Sequence, residues 1–149
     1  MTKLTKQRSM VAILALGVFG LAWADDDGEN GRGCSVSTVR GHYVFAASGF
    51  NVVGGVAQPK AIVELIRFNG DGTLTVPAAT VSINGTVTRS PANGPGMYTV
   101  AADCTGTLAF GPPGPTFDIF LAPNGSEVDM IQTGPGAPVL QGTVVRLAR

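Results

Sequence analysis

The sequence predicts an all-β fold, a closed antiparallel up-and-down barrel of eight strands. After residue 24, apolar residues occur in short segments between glycine- and proline-rich breaks, and no segment keeps a helical period. Most breaks are short, so strands that are adjacent in sequence should pair with each other. Pairing of the last strand with the first would leave no exposed sheet edge. A β-sandwich is the alternative.

The individual strands follow from alternation between these breaks. Segment 84–90 either extends the third strand or pairs locally, and Pro77 inside the third strand predicts a bend, a bulge or a sheet edge. Asn-Gly at 124–125 predicts a tight hairpin. Only 51–59 and 84–96 are long enough for the return connection of a sandwich. The eight predicted strands cover residues 39–49, 60–69, 73–83, 97–102, 105–110, 116–122, 127–133 and 139–148.

Several predicted strands are apolar on both faces. In the second strand, Ile62 and Ile66 alternate with Val63 and Leu65, whereas a strand wet on one side alternates more cleanly with polar residues. Something could therefore cover the outer face, such as a long loop or another subunit, which leaves oligomer formation open. The interior of an eight-stranded barrel is filled by side chains or holds one small ligand. The sequence leaves both open.

Residues 1–24 have the pattern of a secretory signal peptide. Lys3, Lys6 and Arg8 precede the uncharged apolar run 10–23, and a small-x-small motif ends at Ala24. The run is shorter than the roughly 20 residues that span a bilayer, so we expect cleavage near Ala24 and no membrane span afterwards. The sequence thus predicts a secreted or periplasmic bacterial protein. Residues 25–33 read as a flexible acidic, glycine-rich tail, and residues 34–149 as a single barrel domain.

The charge pattern argues against several classes of function. The chain has 10 basic and 10 acidic residues, and removal of the signal peptide leaves an acidic excess. There is no basic stripe, so a nucleic-acid partner is not expected. The sequence has no clustered metal ligands and no phosphate-binding glycine loop before a helix. We therefore expect no metal and no cofactor.

The two cysteines predict one disulfide. Cys34 and Cys104 are the only cysteines of the chain, and an even number in an oxidising compartment favours pairing. The bond would join the start of the first strand to the turn between the fourth and fifth strands. Two free thiols are the alternative. A C-x-x-C redox pair is excluded by the spacing.

Four short motifs carry a family resemblance. They are G-x-Y-x-F-x-x-x-G at 41–49, F-x-G-x-G at 68–72, G-x-Y-x-V at 96–100 and D-C-T-G at 103–106. With Cys34 and I-Q-T at 131–133, they resemble secreted bacterial proteins of unknown function whose fold is similar to allene oxide cyclase and lipocalin-like (calycin-like) β-barrels. The resemblance covers most of 34–147. It implies a barrel and not a cyclase, since a cyclase motif is missing.

Charged residues on the predicted strands are the candidate ligand site. Each carboxylate shares a strand face with apolar residues, so inward orientation would bury it, and a buried charge needs a partner. An interior cluster of carboxylates and arginines would make a polar ligand site. A structural ion-pair network or a solvent-exposed face are the alternatives. The candidate residues are Glu64, Arg67, Asp118, Asp129 and Arg146.

No catalytic residue is assigned. His42 is the only histidine, and no G-x-S-x-G nucleophile motif is present. We therefore expect a non-catalytic protein that binds a small apolar ligand or acts as a structural or interaction module. The alternative is a cyclase- or isomerase-like enzyme that uses a carboxylate at the barrel mouth.

Overall fold

The computed structural model describes residues 33–90, 94–112, 114–134 and 138–148. Residues 1–24, the predicted signal peptide, and residues 25–32 of the predicted tail lie outside the described residues. The described residues form a 3₁₀ helix, Val36–Thr38, followed by nine strands. The strands are β1 (Gly41–Val53), β2 (Val56–Phe68), β3 (Thr73–Ile83), β4 (Thr86–Ser90), β5 (Gly94–Val100), β6 (Thr105–Phe110), β7 (Thr116–Leu121), β8 (Glu127–Gly134) and β9 (Val139–Arg146).

Eight of the nine strands close into the predicted antiparallel barrel. The strand order is β2-β1-β9-β8-β7-β6-β5-β3-β4, and β2 also pairs with β3, which closes the ring. The first and last strands pair from Tyr43↔Arg146 to Phe50↔Val139, as expected for an up-and-down barrel without free edges. Segment 84–90, for which the sequence allowed either an extension of the third strand or local pairing, pairs locally and adds β4 as a ninth strand.

Pro77 marks the place where β3 changes partner. Residues Thr73 to Val76 of β3 pair with β5, and residues Ala79 to Ile83 pair with β4. On the other edge, the register between β2 and β3 shifts between Leu65 and Arg67, opposite the same region. Proline cannot donate to a ladder, so it is tolerated at such an irregularity. The predicted bulge or edge at Pro77 is confirmed.

The β1–β2 hairpin is longer than predicted. The two strands pair without interruption from Gly41↔Phe68 to Val53↔Val56, so residues 51–59 are strand and not a connection. The turn consists of Gly54 and Gly55, with φ of 58° and 80°. Both central residues of a type I′ hairpin need positive φ, which glycine adopts without steric cost.

The barrel has one closed end, where the segment 34–40 crosses it. Val39 is fully buried there. The Tyr98 hydroxyl lies 2.8 Å from the carbonyl oxygen of Val36 and 3.2 Å from that of Val39. The rings of Tyr43 and Tyr98 lie edge-to-face on Phe68, with centroids 5.1 and 5.0 Å apart. This aromatic cluster fills the barrel interior next to the closed end.

The predicted disulfide between Cys34 and Cys104 is present. It joins the segment before β1 to the turn between β5 and β6. Backbone hydrogen bonds hold both residues: the Cys34 amide donates to Ala102 (3.1 Å), and the Leu121 amide donates to Cys104 (2.9 Å). A structural disulfide indicates an oxidising compartment, in agreement with the predicted location outside the cytoplasm.

Candidate functional site

The open end of the barrel contains a cavity of about 490 Å³. At this end the β1–β2 and β3–β4 hairpins turn, opposite the segment 34–40. The walls are mainly apolar, with two charged side chains, Lys60 and Glu64. The other lining residues are Phe45, Ile62, Val76, Ala79, Val81, Ile83, Ser90, Gly94, Pro95, Phe110, Gly111, Pro112, Pro115 and Phe117.

The space exists because β3 and β5 diverge towards the mouth. Their pairing ends at Val76↔Gly94, and above this point β3 pairs with β4 instead. Small residues, Ala79 and Gly94, also face the cavity. Below them, buried aromatic and aliphatic side chains pack the closed end. The interior is therefore a packed core at one end and a pocket at the other, both of which an eight-stranded barrel allows.

Glu64 lies at the inner end of this pocket. It is on β2 between Ile62 and Ile66, which are both buried, and its neighbours on the adjoining strands are Phe45 and Ala79. Side chains alternate along a strand, so Glu64 points inward together with Ile62 and Ile66. This is the inward orientation that would bury the carboxylate. Its Oε1 atom is buried and has no hydrogen-bond partner.

Burial changes the acidity of this carboxyl group. Removal from water disfavours the charged form and raises the pKa of Glu64 from 4.5 to about 7, while the positive charge of Lys60 lowers it in part. Burial likewise lowers the pKa of Lys60, and the charge of Glu64 opposes this change. Near neutral pH the pocket therefore holds a carboxyl group that exists in both protonation states.

Lys60 was not among the candidate residues from the sequence. It lies four residues before Glu64 on the same strand, and its neighbour on β1 is Gly49. Because side chains four residues apart on a strand share a face, an inward Glu64 implies an inward Lys60. This spacing is the signal in the sequence that identifies Lys60 as a pocket residue. Lys60 is nearer the mouth than Glu64, since β2 runs from the mouth towards the closed end.

Three of the predicted site residues lie outside the pocket. Arg67, Asp118 and Asp129 are exposed, and Asp129 accepts a hydrogen bond from the Thr143 hydroxyl (2.9 Å). Their strand faces point outward, as the 54% exposure of the neighbouring Phe120 shows. The structure therefore does not bring these charges together with Glu64.

Arg146 is at the closed end, far from the mouth. Its Nε donates to the Tyr43 hydroxyl (2.8 Å), and one terminal nitrogen donates to the carbonyl oxygen of Thr38 (2.9 Å). The Tyr43 hydroxyl in turn donates to the carbonyl oxygen of Gly125 (2.7 Å). These contacts tie the segment 34–40 and the β7–β8 turn to β1 and β9, which is a structural task.

A depression of about 690 Å³ lies mainly on the outer wall over β1, β8 and β9. Small residues such as Ala46 and Gly142 lower the surface there. Its charged residue is Asp129, which is exposed and already bonded to Thr143. The pocket at the mouth is the stronger candidate site, because it combines apolar walls with a buried carboxyl oxygen that lacks a partner.

Comparison of the chain with known proteins found no matching family model, curated protein or solved structure. The resemblance to allene oxide cyclase and lipocalin-like barrels therefore stays a prediction. A barrel fold alone does not indicate function, so the pocket is the feature that bears on function.

In the described part of the chain, no helix is long and apolar enough to cross a bilayer. No three His, Cys, Asp or Glu side chains in the same ranges are grouped so that they could hold a metal ion.

Proposed function

We propose that the protein binds one small, mainly apolar molecule in the mouth of its barrel, in the periplasm or outside the cell. The observation that carries this proposal is the cavity of about 490 Å³ with walls from β1–β7. Phe45, Phe110 and Phe117 provide large apolar contacts. Cavities of this size and composition are typical of small-molecule sites.

The location is the second part of the proposal. The disulfide between Cys34 and Cys104 supports an oxidising compartment, and the sequence of residues 1–24 supports export. Together they favour secretion with cleavage near Ala24. Amino-terminal sequencing of the exported protein tests this: a first residue at Asp25 is expected, and an intact Met1 would contradict it.

A thermal-shift panel tests the binding function. A molecule that binds only the folded chain stabilises it, by about 2.7 kcal/mol at a concentration 100 times its dissociation constant. We expect apolar small molecules, such as terpenoids and alkyl compounds, to raise the melting temperature, and polar sugars or nucleotides to leave it unchanged. A flat response over the whole panel would contradict the proposal.

Glu64 favours a second candidate, an isomerase- or cyclase-like enzyme. A carboxyl group with a pKa of about 7 can give and take a proton at neutral pH, as a general acid–base group must. Once a binding molecule is found, NMR of its mixture with the protein would show conversion. In this candidate Glu64→Gln abolishes the conversion and retains binding. No conversion of any bound molecule would favour the binding function alone.

A further inference from the structure

Among the described residues, two buried side-chain oxygens lack a hydrogen-bond partner, Oε1 of Glu64 and Oε1 of Gln132, and only Glu64 lines the pocket. The Oε1 atom of Glu64 is buried without a hydrogen-bond partner, although leaving a buried polar atom unpaired is unfavourable, and more so when it is charged. The Lys60 ammonium does not satisfy this atom. Native structures rarely retain such a group, and each case needs an explanation, such as a catalytic role or a partner supplied by a bound water, ion or other molecule.

Glu64 lies deep in the pocket. Below it on the same face of β2 lie Ile66 and Phe68, with exposed fractions of 1% and 2%, in the packed core. Above it lie Ile62 and then Lys60, towards the mouth. The polar acceptor is thus at the floor of the pocket, and apolar walls separate it from the solvent.

We propose that the bound molecule has a slim apolar body and a single head group that donates a hydrogen bond, a hydroxyl or an ammonium, and that this head group enters first and donates to Oε1 of Glu64. This inference rests on the proposed function and specifies its ligand class. The apolar body then lies between Phe45, Phe110 and Phe117, below Lys60. The Oε1 atom of Glu64 then gains a hydrogen bond, and the walls of the pocket gain apolar contacts.

A carboxylate ligand does not fit this arrangement. A carboxylate beside Glu64 would place two acids at one apolar floor, which disfavours the ionised form of both. A carboxylate held by Lys60 near the mouth would instead place its hydrocarbon tail against the unpartnered Oε1 atom. A hydrogen-bond donor at the floor avoids both conflicts.

Four probes with the same eight-carbon chain test the head group: 1-octanol, octylamine, octyl methyl ether and octanoate. Their dissociation constants are measured at pH 8 by NMR chemical-shift titration of the purified protein, which also locates the binding. A hydrogen bond to a charged acceptor contributes about 1.5–3 kcal/mol. We therefore expect the alcohol and the amine to bind about 10- to 100-fold more tightly than the ether and the acid, with the largest shifts around Glu64.

Variants assign this preference to the carboxyl group. Glu64→Leu should reduce the affinities for octanol and octylamine to that for the ether, and should leave the affinity for the ether unchanged. Glu64→Gln, which retains an acceptor oxygen, should retain the affinity for octanol and lose the tighter binding of octylamine. Lys60→Met, the matched control on the same face, should retain the order of the four probes. Melting curves confirm that each variant is folded.

Three outcomes would overturn the inference. Tightest binding of octanoate with loss in Lys60→Met would show a ligand whose acceptor head is held by Lys60. Equal affinity for all four probes would show that the pocket recognises the apolar body alone, and the proposed function would stand without this inference. If none of the probes binds in the pocket of the wild-type chain, this inference fails, and a flat thermal-shift response as well would contradict the proposed function.

Discussion

Replacement of Glu64 by glutamine should remove part of the pH dependence of stability. Below pH 4.5 the carboxyl group is protonated in both the folded and the unfolded chain. As the pH rises towards about 7, the unfolded chain loses this proton and the folded chain retains it, because burial raises the pKa. Stability contributed by the protonated group is therefore present below pH 4.5 and lost through pH 7. The difference between 4.5 and about 7 corresponds to about 3 kcal/mol at 1.36 kcal/mol per pKa unit.

Urea unfolding at intervals from pH 4 to pH 8, followed by circular dichroism, measures this loss. The free energy of unfolding of Glu64→Gln minus that of the wild type should increase by up to about 3 kcal/mol between pH 4 and pH 8. Groups that do not interact with Glu64 contribute equally to both proteins and cancel in the difference, whereas Lys60 is coupled to Glu64. Glu127→Gln, at an exposed position on β8, controls for the loss of a negative charge.

Lys60→Met provides a second arm of the same experiment. The positive charge of Lys60 lowers the pKa of Glu64, so its removal should make the loss of stability with rising pH larger. If the difference between Glu64→Gln and the wild type is the same at every pH, then Glu64 is not buried in an apolar pocket. A difference that decreases with pH would mean that attraction by Lys60 exceeds the effect of burial.

Three other expectations concern the scaffold. Reduction of the disulfide between Cys34 and Cys104, which are 70 residues apart, should lower the free energy of unfolding by roughly 4 kcal/mol. Equal urea midpoints of the oxidised and reduced proteins would contradict this loss of stability. The mass of the unreduced protein should be two hydrogens below the free-thiol mass. Gly142→Ala should destabilise by about 1–3 kcal/mol, because its Cβ would overlap with the carbonyl oxygen of Ala46 on β1. Gly94→Ala, whose Cβ would make only a 3.9 Å contact, should have nearly the wild-type midpoint. Tyr43→Phe, which removes two hydrogen bonds, should cost about 1–3 kcal/mol in the same assay, and an unchanged midpoint would show that these bonds add nothing.

Local sequence patterns were sufficient to predict the barrel. Alternating strands with short turns require neighbouring strands to pair, and closure removes the edges. The disulfide followed from the number of cysteines and the compartment that residues 1–24 indicate. The full length of the β1–β2 hairpin is not predicted, because the two-residue turn Gly54-Gly55 lies within a segment whose composition is typical of a loop. Once this turn is recognised, the residues on both sides of it extend the strands.

The direction of the strand faces could be predicted only in part. Glu64 was expected to share its face with Ile62 and Ile66, and the structure has that face inward. For Asp118 and Asp129 the pattern was ambiguous, because both faces of β7 and β8 carry large apolar residues. A period of two assigns residues to the same face and does not tell which face is inside. The pocket itself depends on the divergence of β3 and β5, a tertiary property.

The most direct test of the account is whether the barrel mouth binds an apolar molecule. The purified protein is titrated with N-phenyl-1-naphthylamine, which becomes fluorescent in apolar surroundings. Ala79 faces the pocket beside Glu64, and Ala78 points outward on the same strand. We expect saturable binding at one site per chain, its loss in Ala79→Trp, and its retention in Ala78→Trp. Absence of saturable binding, or equal binding by folded Ala79→Trp, would contradict the account.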